Sequence, residues 1–185
     1  MPFYRLREAG VPICLGTDEA TVDDSINLWF VAKTAALLHT ITNPEYRDWP
    51  TAGEMLRALT RGGARAMRQP DRLGQLVPGC AADLALIDLD TLAFTPLNDL
   101  ERQLVFCEDG SSVRFTIVAG RVVFEDGRVT TVDERALRAE ARELMAAQRG
   151  TLARGREQAS RLEPYYRQMY LRAADQDVGM KRWAH

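Results

Sequence analysis

Hydrophobic and polar positions change period several times along this chain, and each change marks an element. Residues 3–9, Phe-Tyr-Arg-Leu-Arg-Glu-Ala, place apolar side chains at helical spacing, and Gly10 follows where a helix can end on a left-handed residue. Val11 to Leu15 then runs almost wholly apolar and stops at Gly16-Thr17-Asp18. A short run without polar alternation fits a parallel strand buried on both faces, although period alone leaves a helical segment open. Helix, glycine, buried strand is the αβ half of a βαβ unit, so the chain opens inside an α/β arrangement. A lone parallel strand leaves its backbone groups unpaired and calls for a neighbour.

After a polar loop, Glu19 to Asp24, helical spacing returns over Ser25–Ile41, with Asp23 or Asp24 as the expected N-cap. Asn43-Pro44 ends it, because the residue before a proline resists the α region. Thr51-Ala-Gly-Glu54 fits a capping box and opens another helix carrying Met55, Leu56, Leu59, Ala66 and Met67. Gly62-Gly63 inside it costs about 1 kcal/mol per glycine relative to alanine. A close approach to other backbone would explain that cost.

From Leu73 the period shortens. Gly74 to Gly79 reads as strand then turn, Asp83 to Leu89 as a buried strand, and Leu104 to Cys107 as a further strand. Val113, Phe115 and Ile117 share one face of the next, and Arg121 to Thr130 reads as a hairpin turning at Asp126-Gly127. Asp133 then caps a charged helix to about Arg149, with Leu137, Ala141 and Leu144 on one side and ion pairs spaced over a solvated face. Past Gly150 the chain is more polar until Leu162–Leu171, a helix whose Tyr165, Tyr166, Met169 and Tyr170 suit core or subunit packing better than a ligand box. The tail to His185 reads as loosely ordered or partner-bound. The pattern divides the chain into an α/β part (1–72), a small β unit (73–132) and a helical extension (133–185).

Composition narrows the class. The 185 residues are 46% hydrophobic and 27% charged with a net charge of −2, which suits one globular domain or two small ones. So small a charge offers no handle for nucleic acid or a membrane surface. No apolar run approaches the roughly 20 residues of a membrane span, and Arg5, Arg7 and Glu8 interrupt any secretory core. Cys14, Cys80 and Cys107 are odd in number, widely spaced and flanked by apolar residues, the pattern of buried reduced thiols in a cytoplasmic protein. The sequence has only two histidines, His39 and His185.

Asp18 is the candidate for chemistry. At the carboxyl end of a parallel barrel strand, an aspartate points to where barrel enzymes react. Taken alone, it fits a helix cap or a turn better than a catalytic place, because aspartate is common in both of those roles. The segments around it change the balance. Ala9-Gly-Val-Pro-Ile-Cys-Leu-Gly-Thr-Asp18, Ala58-Leu-Thr-Arg-Gly-Gly-Ala-Arg-Ala66, Leu73-Gly-Gln-Leu-Val-Pro-Gly-Cys-Ala-Ala-Asp-Leu84 and Ile117-Val-Ala-Gly-Arg-Val-Val123 follow in this order. Together they resemble the C-terminal part of the amidohydrolase superfamily, in the branch of nucleobase and S-adenosylhomocysteine-type deaminases and triazine-type hydrolases. The resemblance covers roughly residues 3–147.

That resemblance implies the C-terminal part of a metal-dependent (β/α)₈ barrel, with residues 11–18 as its last strand, and the C-terminal share of a small β-sandwich. It implies that Asp18 binds or adjoins the metal, zinc or alternatively iron, and passes a proton from the attacking water to the leaving amine. A divalent cation lowers the pKa of bound water to about 7, within reach of a carboxylate shuttle.

Two departures stand out. The histidine pair of the family's first strand and its later histidines have no counterpart here, and one carboxylate is far from the three or so protein ligands of a catalytic zinc. The expectation is a fragment, or one half of a split enzyme, inactive alone and partnered by a missing N-terminal barrel half and by further copies of itself. The loop Glu19-Ala-Thr-Val-Asp-Asp24 also differs from the small or amide residues of many relatives, so Glu19 either contacts a small-molecule substrate or caps a helix. The opposing reading is an inactive assembly module using the lone strand, the sandwich half and the 162–171 stripe.

Overall fold

The computed structural model describes residues 2–19, 25–177 and 179, and these form two compact units, residues 1–130 and 131–185. The first opens on helix α1 (Phe3–Glu8), which closes as expected at Gly10. The Gly10 amide donates to Arg7 O and the Val11 amide to Leu6 O, with Gly10 at φ +67°, so two otherwise orphaned carbonyls are satisfied. Helix α2 spans Leu28–Leu38 and is capped by Asn27, whose Oδ1 accepts from the amides of Trp29 and Phe30. Asp23 and Asp24, the caps expected from the sequence, lie outside the described residues.

The Thr51–Glu54 capping box forms in both directions at the head of α3 (Ala52–Arg57). The helix then widens into a π-helical stretch, Ala58–Gly62, before resuming as α4 (Gly63–Ala66). Phe3 of α1, Ala32 and Ala36 of α2, Ala52 and Met55 of α3 and Val105 form the core of this layer, with Ile13 and Leu15 packed against it.

Val105 reaches that core from a helix. Leu104–Cys107, expected as a strand, is the end of α5 (Leu100–Phe106). The expectation followed the apolar run and missed the cap: Asp99 Oδ1 accepts from the Arg102 amide, and Gln103 Oε1 accepts from the amides of Asn98 and Asp99. Gln103 also donates to Ala93 O and Pro96 O, which fastens the loop carrying buried Phe94.

Strands β1 (Leu84–Ile87), β2 (Val113–Val118), β3 (Arg121–Glu125) and β4 (Arg128–Val129) form an antiparallel sheet in sequence order. Leu84 faces Ile117, and Phe124 faces Val129 across the expected hairpin, whose Asp126 and Gly127 both take positive φ. Gly74 to Gly79 holds the turn but no strand. Among the described residues there is one sheet, so the second layer of a sandwich is not within them.

Val11–Leu15, read as a buried parallel strand, is extended backbone that joins no ladder among the described residues. A parallel strand exists only through its neighbours, and no parallel partner lies within the described residues. Its side chains are accordingly half-buried or exposed. The cysteine expectation fails for a related reason: Cys14 in this segment and Cys107 beyond α5 are exposed thiols, and Cys80 is half-buried.

The second unit is helix α6, Glu134–Ala174, capped by Asp133 through the amides of Arg135 and Ala136. It runs unbroken through Gly150, Gly155 and Pro164, where the sequence suggested two helices with a gap. The intervening Arg, Ala, Leu, Gln and Glu residues are strong helix formers and carry the interruptions.

Candidate active site

The candidate site is built where Val11–Asp18 lies across the widened helix. A π-helical turn changes the 3.6-residue register, and such turns recur at functional positions. Here the Leu15 amide donates to Ala58 O at 3.4 Å, fixing the extended segment to the first residue of the π stretch. A Cβ on Gly62 would overlap Ile13 O and lie 3.1 Å from Cys14 Cα, so only glycine admits this crossing. Gly74 closes the other side, at φ +73°, where a Cβ would meet Thr60 O at 2.6 Å. The close approach suggested by the costly Gly62-Gly63 pair is therefore real at Gly62. Nothing lies within 4 Å of a Cβ on Gly63.

This crossing aims the chain at Asp18, which sits exposed at φ +58°. Aspartate is one of the few side chains that enter the left-handed region without glycine. The Thr17 hydroxyl donates to Asp18 O at 3.4 Å. Glu19 follows it, also exposed, and residues 20–24 lie outside the described residues.

The histidines do not join this site. His39 ends α2 with 8% of its surface exposed, stacked on Phe3 at 4.8 Å, and burial holds its pKa below the usual 6.5. Its carbonyl accepts from Tyr4 Oη and Thr42 Oγ1. It is a packing residue, as a lone helical histidine suggests. His185 lies outside the described residues. Among the described residues no group of three or more His, Cys, Asp or Glu could hold a metal ion. A single exposed carboxylate does not fit a catalytic zinc centre, which takes about three protein ligands.

One carboxylate escaped the sequence reading. Glu108, 3% exposed, accepts through Oε1 from the amides of Gly110 and Ser112 and folds the turn after α5, while Oε2 has no hydrogen-bond partner. Beside it, Asn27 Nδ2 donates to Asp109 O and so ties that turn to the head of α2. Glu-Asp-Gly-Ser-Ser reads as a surface loop, and nothing in its pattern announces a buried acid.

Set against known proteins, this geometry has a consistent lineage. Residues 1–124 match the Amidohydrolase family, and the chain belongs to that family. The 5-methylthioadenosine/S-adenosylhomocysteine deaminase of Nitratidesulfovibrio vulgaris is 36% identical over 126 residues, covering 68% of this chain and 28% of that protein. The 5'-deoxyadenosine deaminase of Methanosarcina mazei is 35% identical over 125 residues, with the same coverage of each. Among solved structures, a zinc-bound adenosine deaminase from Xanthomonas campestris superposes with a TM-score of 0.76 at 30% identity, covering 80% of this chain and 34% of that one. A zinc-complexed atrazine chlorohydrolase from Arthrobacter aurescens gives 0.72 at 30% identity, covering 78% and 32%. The chain thus spans about a third or less of the length of the proteins it matches.

Proposed function

We propose that this chain is the C-terminal part of a hydrolase that cleaves carbon–nitrogen bonds other than peptide bonds, deaminating or hydrolysing a heterocyclic small molecule. The single observation that carries this reading is Asp18, exposed at the end of an extended segment whose crossing with the π-helical turn is held by glycine at Gly62. The deaminase relatives support the reaction class, and the adenosine-type names among them favour an aminated purine nucleoside.

In this reading residues 11–18 are the last strand of a (β/α)₈ barrel, and Asp18 stands at its carboxyl end, where such barrels place catalytic groups. Its carboxylate takes a proton from the attacking water and delivers it to the leaving amine, one group acting as base and then as acid. Glu19, next in the chain and exposed, contacts substrate in this reading. The zinc-bound relatives extend the reading to a divalent metal in the complete protein, beside Asp18, with its remaining ligands outside the described residues of this chain. A second reading, an inactive assembly module, is favoured by one observation: the donor set at Asp18 is too small for a metal centre.

Complementation separates the two. The chain is co-expressed with the N-terminal two-thirds of the Nitratidesulfovibrio vulgaris deaminase, and ammonia release from aminated nucleosides is measured. Activity is expected only in the pair, and Asp18→Asn should lower it by about 10²–10⁴-fold while the two parts still co-purify. An active pair indifferent to Asp18→Asn would sink the catalytic role, and a co-purifying pair inactive with Asp18 intact would favour the module.

A further inference from the structure

Arg57, Arg61 and Arg65 stand at a stride of four along the widened helix. In an unbroken α-helix each such step gains about 40°, so Arg65 would stand roughly 80° round from Arg57. The π-helical stretch Ala58–Gly62 takes up one extra residue, which brings the two back to within about 20°. All three line one cavity of about 340 Å³, beside α1 and the start of the extended segment, and Arg7 of α1 joins them there. Like charges four residues apart on a helix repel, so this row works against the fold until an anion answers it. Among the described residues no carboxylate does: Arg57, Arg61 and Arg65 enter no ion pair. Glu54 lines the same cavity, but both of its oxygens are engaged. Its Oε1 accepts from Arg7 at 3.4 Å, and its Oε2 accepts from the amide and hydroxyl of Thr51. Glu101 Oε2 and Arg57 Nη1 both crowd the place of a Gly53 Cβ, yet stay beyond ion-pair distance of each other. Arg7 is held in place by Asp48 O at 2.8 Å and by the rings of Phe3 and Tyr4. Buried Phe3, Met55 and Ala58 give the cavity an apolar lining.

We infer that this cavity binds a small phosphate ester, its phosphate held by Arg57, Arg61 and Arg65 and its body resting on Phe3, Met55 and Ala58. A guanidinium presents a planar fork of donors that matches the oxygens of a phosphate. A terminal phosphate offers three such oxygens, one more than a carboxylate, and so suits three arginines better. The apolar lining and the volume, at the small end of the range for ligand sites, call for a compact organic body on that phosphate. Asp18 does not line this cavity, so the site is separate from the chemistry proposed above and does not depend on it.

Isothermal titration calorimetry of the full chain tests this, with naphthyl phosphate as the probe and naphthol and inorganic phosphate beside it. The probe carries no amine, so the proposed deamination does not touch it. Naphthyl phosphate is expected to bind at a single site, at least about tenfold tighter than naphthol, with inorganic phosphate weaker than the ester. Arg61 is exposed, so its variants should keep the wild-type circular dichroism. Arg61→Glu should weaken the ester about tenfold or more, and Arg61→Lys, which keeps the charge and loses the fork, about threefold. Arg128→Glu, at an exposed arginine of β4, and Asp18→Asn should each leave binding within about twofold. Absence of binding overturns the proposal, as does naphthol binding as tightly as its phosphate. So does an Arg61→Glu chain that binds like the wild type. Equal losses in Arg61→Glu and Arg128→Glu would reduce the effect to net charge, and a loss in Asp18→Asn would move the ligand to Asp18; either sinks the assignment.

Discussion

At Gly62 the helix meets the extended segment with no room for a methyl group, while its neighbour Gly63 faces open space. The two glycines look alike in the sequence and should behave oppositely when replaced. Gly62→Ala pushes a methyl into Ile13 O, and overpacking of this kind costs about 2–3 kcal/mol. Gly63→Ala removes helix-interior flexibility without a clash and should stabilise by about 0.5–1 kcal/mol. Urea unfolding of both variants checks the pair. His39 carries a different signature. Burial lowers its pKa below 6.5, so the folded state resists protonation. Above that value both states hold a neutral imidazole and the His39 contribution is complete. As pH falls below it the unfolded chain binds the proton first, and stability declines until the folded-state pKa is passed. The acid loss measured for the wild type should shrink in His39→Leu; equal losses in the two proteins would contradict the assignment. Burial, stacking and clash are relations between distant residues, which is why none of this could be read from Gly62 or His39 alone.

Elements with their own punctuation are legible in the sequence, and those defined by neighbours are not. The capping box at Thr51, the stop at Gly10, the Asp126-Gly127 hairpin and the Asp133 cap all formed, because each is a local hydrogen-bond arrangement. Leu104–Cys107 misled because β-branched and aromatic residues suit a strand, yet Asp99 and Gln103 had already committed the backbone to a helix. The gap expected at Gly150 misled in the other direction. One glycine costs a helix about 1 kcal/mol, too little to break a run of strong formers. Gly150 lies on the polar side of α6, where a Cβ would meet only Arg154 at 3.7 Å. Gly150→Ala should therefore strengthen α6 by about 1 kcal/mol, seen as a higher melting temperature of the helical dichroism signal.

At the scale of the whole molecule, the chain supplies one catalytic candidate and a scaffold for it, and the Asp18→Asn loss in the complemented pair is the measurement that ranks them. Its motifs, from Gly16-Thr17-Asp18 to the Ile117–Val123 segment, were enough in sequence to indicate the amidohydrolase family, because they are contiguous and ordered. Local chemistry along the chain also fixed the caps at Thr51 and Asp133 and the turn at Asp126-Gly127. Only the tertiary structure decided that Val11–Leu15 stands without a ladder among the described residues and that Ala58–Gly62 widens to receive it. The same holds for the burial of Glu108 and the stacking of His39 on Phe3. The reason is physical: caps and turns are settled within a few residues, whereas pairing, burial and close approach exist only once distant segments have met.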